Sequence, residues 1–254
     1  MTPFGRGLPF SNPIKKGLTF PPIAGLTLRL ESDLGVTTSG SDVTHWIDQV
    51  QSFDFETAGG GITVPTLVAN QVHGHPAVRF NGVANALFSS ALVSDVLTGA
   101  HPDTFKVIAV LKNNSAVSHA STSYDAPAVL ADAASFWSPT SGDSTRINAG
   151  FYAGPDALAS VVQATGALVY VEATLTAAAG GTLSLQVGTG GTPDTHTGAG
   201  TLGGISGFLK LGVNYANAVF WQGDLFAIYV ATSMSGGEVD DLRTYINAKW
   251  GPGL

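Results

Sequence analysis

Residues 223–250 read GDLFAIYVATSMSGGEVDDLRTYINAKW. Asp224 to Ala231 is an apolar run of strand length, and beyond it the period of the apolar residues changes. Ser235 with Glu238 three residues later forms a capping box, so a helix begins there. Leu242, Tyr245, Ile246 and Trp250 fall on one face at helical spacing. Gly251 and Pro252 then stop the helix.

Outward from this segment the chain reads as short strands. Leu26, Leu28 and Leu30 alternate with Thr27, Arg29 and Glu31, the period of two that marks a half-buried strand. Asp33 to Asp42 reads as a polar turn. Further strands are predicted over Val43–Asp48, Ala77–Asn81, Ala86–Ser89, Thr104–Lys112, Ala128–Ala131 and Arg146–Ala153. The pattern continues over Leu158–Gln163, Leu168–Leu175, Thr182–Val187 and Phe208–Val213. Asn81-Gly82, Gly180-Gly181 and Gly190-Gly191 punctuate these runs as turns. The 32 Gly and 13 Pro follow no Gly-X-Y period, so they serve turns and not a fibre. Gly188 to Gly207, rich in Gly and Thr, is predicted to be one long loop.

A length of 254 residues suits one large all-β domain. Apolar residues make up 44% and charged residues 11%, which supplies a core and argues against disorder. The formal charge of −7, with no basic stripe interleaved with aromatics, argues against nucleic acid as a partner. No apolar run reaches eighteen residues and no secretory leader is evident, so a soluble chain made in a cytosol is expected, with no membrane partner. Without Cys there is neither a disulfide nor a thiolate metal site.

Residues 1–22 differ from the rest. Five prolines, Arg6, Lys15 and Lys16 occur there with no acidic residue before Glu31, which predicts an extended arm ahead of a domain spanning 23–254. Two readings stay open, a flexible tail and a docking arm. In the second, Arg6, Phe10, Lys15, Lys16 and Phe20 contact the partner.

Four stretches stand out together: Leu26–Asp33 with Val43–Asp48, Pro65-Thr-Leu with Gly74-His-Pro-Ala-Val-Arg-Phe-Asn-Gly82, Phe105–Leu111, and Gly223–Trp250. In their order and spacing they resemble the LamG-like, concanavalin A-like jelly-roll family, of the kind found in bacteriophage structural proteins. The family pattern Gly-x-Pro-x-Val-Arg-Phe-Asp-Gly has Asn81 here in place of its Asp. The resemblance implies an all-β jelly-roll sandwich with one C-terminal helix. Relatives often carry a Ser-Gly-Asn-Gly turn where this chain has Gln49 to Asp54, so a ligand site built on that turn does not transfer.

Retaining glycosidases need two carboxyl groups about 5 Å apart. Among Glu31, Glu56, Glu172 and Glu238, Glu31 with Asp33 alone shares a strand face with a second carboxylate, and it reads more readily as a solvated turn pair. His73 and His75 have spacing compatible with metal ligation but no evident third ligand, so they read as surface histidines. No nucleophile elbow, Walker loop or dinucleotide fingerprint is present. Asp42, Asp48, Asp54, Asp143 and Asp194 are loop candidates for Ca2+, without EF-hand spacing, and no other cofactor is expected. Arg79 and Asp224 are expected to form a structural ion pair. Trp46 and Trp250 read as core, whereas Trp137 in a Ser-, Pro- and Gly-rich segment reads as a contact for a sugar or a protein.

From these features a non-enzymatic virion protein is expected: a bacteriophage capsid decoration or tail-associated protein, assembled in the host cytoplasm. Its partners would be capsid or tail proteins and further copies of itself. The alternative is a carbohydrate-binding module, with Trp137, Asp143 and Asp194 at the glycan. A polysaccharide hydrolase ranks last because the carboxylate pair is missing.

Overall fold

The computed structural model describes residues 18–96, 104–114, 136–140, 143–149, 159–162, 166–176, 181–199, 208–213 and 220–251. Arg6, Phe10, Lys15, Lys16 and the strand predicted at Ala128–Ala131 lie outside the described residues. Sixteen strands are described. The first seven are β1 (Leu26–Glu31), β2 (Val36–Ser39), β3 (Asp42–Ile47), β4 (Asp54–Glu56), β5 (Thr66–Val72), β6 (His75–Asn81) and β7 (Leu87–Leu92). After the single turn α1 (Val93–Val96) come β8 (Thr104–Asn113), β9 (Phe136–Thr140), β10 (Asp143–Ala149), β11 (Ala159–Val162) and β12 (Leu168–Thr176). The chain continues through β13 (Gly181–Val187), β14 (Asp194–Ala199), β15 (Phe208–Leu211) and β16 (Gln222–Ala231) into α2 (Gly236–Trp250). Among the described residues no helix is long and apolar enough to cross a membrane.

Thirteen strands share one antiparallel hydrogen-bonded sheet along the path β14-β13-β12-β8-β16-β6-β5-β3-β4-β7-β15, with β1 also on β16 and β2 also on β3. The path turns its corner at the lone Asp42–Thr66 pairing between β3 and β5. Beyond that corner, Trp46, Phe55, Leu87, Leu209 and Leu211 enclose one core with Val107, Val171, Leu185 and Ile228 from the other half. The result is a sandwich-like all-β fold, as expected from the sequence. Strands β9 to β11 form a separate three-stranded sheet, with β11 beside β13 and β14.

Strand β16 is the spine. One edge pairs along its length with β8, and the other is shared end to end by β6 and β1. Its apolar run is buried on both faces because α2 covers the outside. Leu225, Ile228 and Val230 join the inner core, whereas Phe226, Ala227 and Tyr229 meet Leu242, Tyr245, Ile246 and Trp250 of the helix. The capping box forms as read: Glu238 N donates to Ser235 Oγ at 3.3 Å and Ser235 N to Glu238 Oε2 at 2.8 Å. That satisfies helix donors that would otherwise be orphaned.

Two local readings change. Asp194 to Ala199 is an edge strand on β13 and not part of a long loop, leaving residues 188–193 as the connection. Val36–Ser39 is likewise a strand inside the predicted polar turn. Val36–Ser39 is short and mostly exposed, and neither segment has apolar residues in alternation.

Candidate functional site

The outer face of the sheet carries a row of charges beside α2. Asp224 on β16 stands opposite Arg79 on β6 across one edge and opposite Lys112 on β8 across the other. On these strands the neighbouring Val78, Phe80 and Leu111 point into the core, so alternation turns Arg79 and Lys112 outward. Asp224 is fully buried and holds the guanidinium by two bonds, Nε to Oδ1 at 2.6 Å and Nη2 to Oδ2 at 2.9 Å. Nη2 also donates to Gln71 Oε1 at 3.1 Å. The hydrogen bond to Asp224 outweighs burial and raises Arg79 above the ordinary arginine value. This is the ion pair expected from the sequence, and it fixes a guanidinium whose side chain stays 42% exposed.

Arg79, Lys112 and Asp224 line a cavity of about 590 Å³, together with Asn81, Asn114 and Gln222. One wall is built by the turn after β6. Asn81 Oδ1 accepts from the backbone N–H groups of Val83 (2.9 Å) and Ala84 (3.1 Å), which pins the turn. Gly82 takes φ +73° there, and a Cβ on it would meet Gln222 Cβ at 2.8 Å. Among the described residues Lys112 has no ion-pair or hydrogen-bond partner, and the amide heads of Gln222 and Asn114 are free of side-chain bonds. The cavity therefore presents a fixed guanidinium, a free ammonium and two uncommitted amides, a set suited to hydroxyl and carboxylate oxygens.

Two other charge clusters are structural. Glu31 is fully buried and accepts from Arg29 Nε (2.9 Å), Tyr229 OH (2.9 Å), Tyr245 OH (3.0 Å) and Lys249 Nζ. Lys249 also reaches Asp33 at 2.8 Å, and Asp33 accepts a further contact from His75 Nδ1 at 2.9 Å. Burial would raise the Asp33 carboxyl, but the bonds from His75 and Lys249 outweigh it and hold it below the usual range. Glu31 and Asp33 are thus not a solvated turn pair; they are clamped between sheet and helix by a shared lysine. On the far side of α2, Glu172 accepts from Lys106 (2.8 Å), Tyr170 OH (2.6 Å) and Arg243 (2.7 Å). Burial again opposes ionisation, and these donors overcome it to lower the Glu172 pKa.

The remaining sequence-selected residues scatter. Trp137 and Asp143 lie on adjacent strands β9 and β10, and Asp194 opens β14 with its backbone opposite Leu185. The structure does not bring them to the Arg79 row. His73 and Gly74 are the central residues of the β5–β6 hairpin, with φ +48° and +86°, as a type I′ turn requires. That turn removes the extended geometry a His73/His75 ligand pair needs, and His75 is engaged by Asp33 and edge-on to Trp250 at 4.9 Å. Of the calcium candidates, Asp48 is fully buried and caps its turn, accepting from Arg29 N at 2.7 Å and Gln51 N at 2.6 Å. Asp54 instead meets His45 at 2.9 Å. Lys112 escaped the sequence reading because nothing in its own strand reveals that β8 lies beside Asp224.

No protein-family model matches the chain, and no curated protein does. Solved structures do. Trypanosoma rangeli sialidase in complex with sialic acid aligns at TM-score 0.56 and 14% identity, over 91% of this chain and 34% of its own. The same enzyme with the inhibitor DANA aligns at TM-score 0.55 and 16% identity, over 91% and 34%. An arabinofuranosidase complexed with arabinofuranosyl-alpha-1,2-xylobiose aligns at TM-score 0.48 and 12% identity, over 82% and 51%. The chain thus spans about a third of the sialidase, and at these identities the likeness is one of fold.

These findings correct the expectation of a virion structural protein: the fold is shared with a sialidase, whose structures were solved with sugar ligands. Of the residues expected in the docking arm, Phe20 alone lies among the described residues. Phe20 stacks on Tyr229 at 5.8 Å, meets Tyr245 edge-on at 5.1 Å and lies under the Arg29 guanidinium at 3.7 Å. Its half-buried ring packs against this chain's own sheet and helix.

Proposed function

We propose that the chain is a non-catalytic carbohydrate-binding module whose site is the Arg79–Asp224–Lys112 cavity. The observation that carries this reading is the cavity itself: a guanidinium locked on one side by a buried carboxylate, with a free ammonium and uncommitted amides around it. The fold shared with a sialidase supports it as architecture. Two cations against one carboxylate leave one net positive charge in a chain of −7, so glycans with carboxylate or sulfate groups are favoured over neutral ones. The non-catalytic part rests on Glu31, the paired carboxylate of the sequence, being sealed from solvent by Lys249 and two tyrosines.

The test is a glycan array followed by titration of the best ligand against Lys112→Ala and Gln222→Ala. Both substitutions leave the Arg79–Asp224 pair intact, so the fold survives. Binding that falls by about tenfold or more in each supports this site. Binding that is untouched there and lost in Trp137→Ala transfers the function to the three-stranded sheet. No glycan retained at all refutes the reading.

A further inference from the structure

A second group of polar side chains lies on the other layer of the sandwich, outside the cavity. In the β3–β4 pairing Trp46 faces Phe55 and Ile47 faces Asp54. Trp46 and Phe55 are fully buried in the inner core. Alternation therefore turns His45, Asp54 and Glu56 to the outer face, with His45 across from Glu56. One donor atom from each of the three lies within 4.8 Å of the other two. His45 Nδ1 and Asp54 Oδ2 are 2.9 Å apart, within hydrogen-bond distance. The other oxygen, Asp54 Oδ1, is sealed from solvent yet has no hydrogen-bond partner. Asp54 is positioned from behind by its backbone N–H, which donates to Ser90 Oγ at 3.1 Å.

We propose that His45, Asp54 and Glu56 form a binding site for one divalent transition-metal cation of the zinc class. One imidazole and two carboxylates is a mixed nitrogen and oxygen donor set that zinc accepts, whereas calcium takes six to eight oxygens. Two carboxylates balance the charge of a dication. A cation in place of the proton between His45 and Asp54 converts the pairing into a ligand set and gives the carboxylate with the orphaned oxygen a counter-charge. Three protein ligands leave a position open to solvent or to an outside donor. Lys210 stands one strand further on, with Phe88 between it and Glu56 in the strand register.

The experiment is isothermal titration of ZnCl2 into chelator-stripped full-length protein, wild type beside His45→Ala, Glu56→Gln and a His73→Ala control. His45 and Asp54 keep 43% and 32% of their side chains exposed, so the variants fold, as far-UV circular dichroism will show. The expected result is one site per chain, weakened about tenfold or more by His45→Ala and by Glu56→Gln and unchanged by His73→Ala. No saturable binding, binding indifferent to His45→Ala, or CaCl2 binding as tight as ZnCl2 would each overturn the proposal. The outcome is independent of whether a glycan binds at Arg79.

Discussion

Replacing Lys249 with Met tests whether the helix is clamped to the sheet by charge as well as by apolar packing. Lys249 is 6% exposed, and its ammonium bonds Glu31, which has no solvent exposure, and Asp33. Met keeps the stem volume, so the substitution removes charge without opening a large cavity. Breaking a buried pair costs about 3–5 kcal/mol, because the partner charge is left uncompensated. Glu31 would still accept from Arg29 and two tyrosine hydroxyls, and Asp33 would keep His75, which places the expected loss near the lower bound. A loss of about 3 kcal/mol is therefore expected in urea unfolding monitored by far-UV circular dichroism. Adding Glu31→Gln removes the stranded charge, so the double variant should recover about 1–2 kcal/mol of that loss. A single variant that loses less than about 1 kcal/mol, with a double variant that is merely additive, would refute the clamp.

Two further outcomes concern the same interface. Phe20→Ala should cost about 1–2 kcal/mol, since a half-buried ring loses part of the 3–5 kcal/mol of a full core aromatic, and should lower the melting temperature by about 3–6 °C; an unchanged melting curve would show that Phe20 packs on nothing in solution. Stability should also fall in acid. Asp33 and Glu172 are held below their ordinary values in the fold, so their stabilisation is present above the unfolded pKa and is lost as pH falls through the lower folded value. Lys249 works in the opposite direction: burial lowers its pKa, but Glu31 and Asp33 outweigh that and raise it, so its share is kept through neutral pH and lost above the ordinary lysine range. Urea midpoints from about pH 2 to pH 11 check both limbs, and a flat profile below about pH 4.5 would contradict the acid limb.

What was legible in the sequence was what local chemistry decides. The capped helix, its Leu242–Trp250 face and the apolar strand before it were readable because capping and periodicity are properties of neighbours in the chain. The Arg79–Asp224 pair was readable from motifs alone. What stayed hidden depends on strand order. Lys112 joins that pair because β8 lies on the other edge of β16, and His45 meets Asp54 and Glu56 through the register of β3 on β4. His73 and His75 stood out in the sequence by their spacing, when among the described residues the histidine with two carboxylate neighbours was His45. Glu31 was misjudged for a related reason, since its partner Lys249 is 218 residues away in the chain.

The position of Asp224 ties the proposed function to the fold. It sits on a strand that is hydrogen-bonded on both edges and buried along nearly its whole length, so its carboxylate is held by a constrained backbone. Arg79 inherits that rigidity through two bonds, whereas for Lys112 the β8 pairing fixes the backbone and not the ammonium. The guanidinium does not have to be ordered when a ligand arrives, which spares part of the immobilisation cost that flexible side chains add to binding. The amides of Gln222 and Asn114, at the rim, keep the freedom to adjust. A site with a rigid charged floor and an adaptable polar rim selects first for the charge of a sugar and only then for the pattern of its hydroxyls.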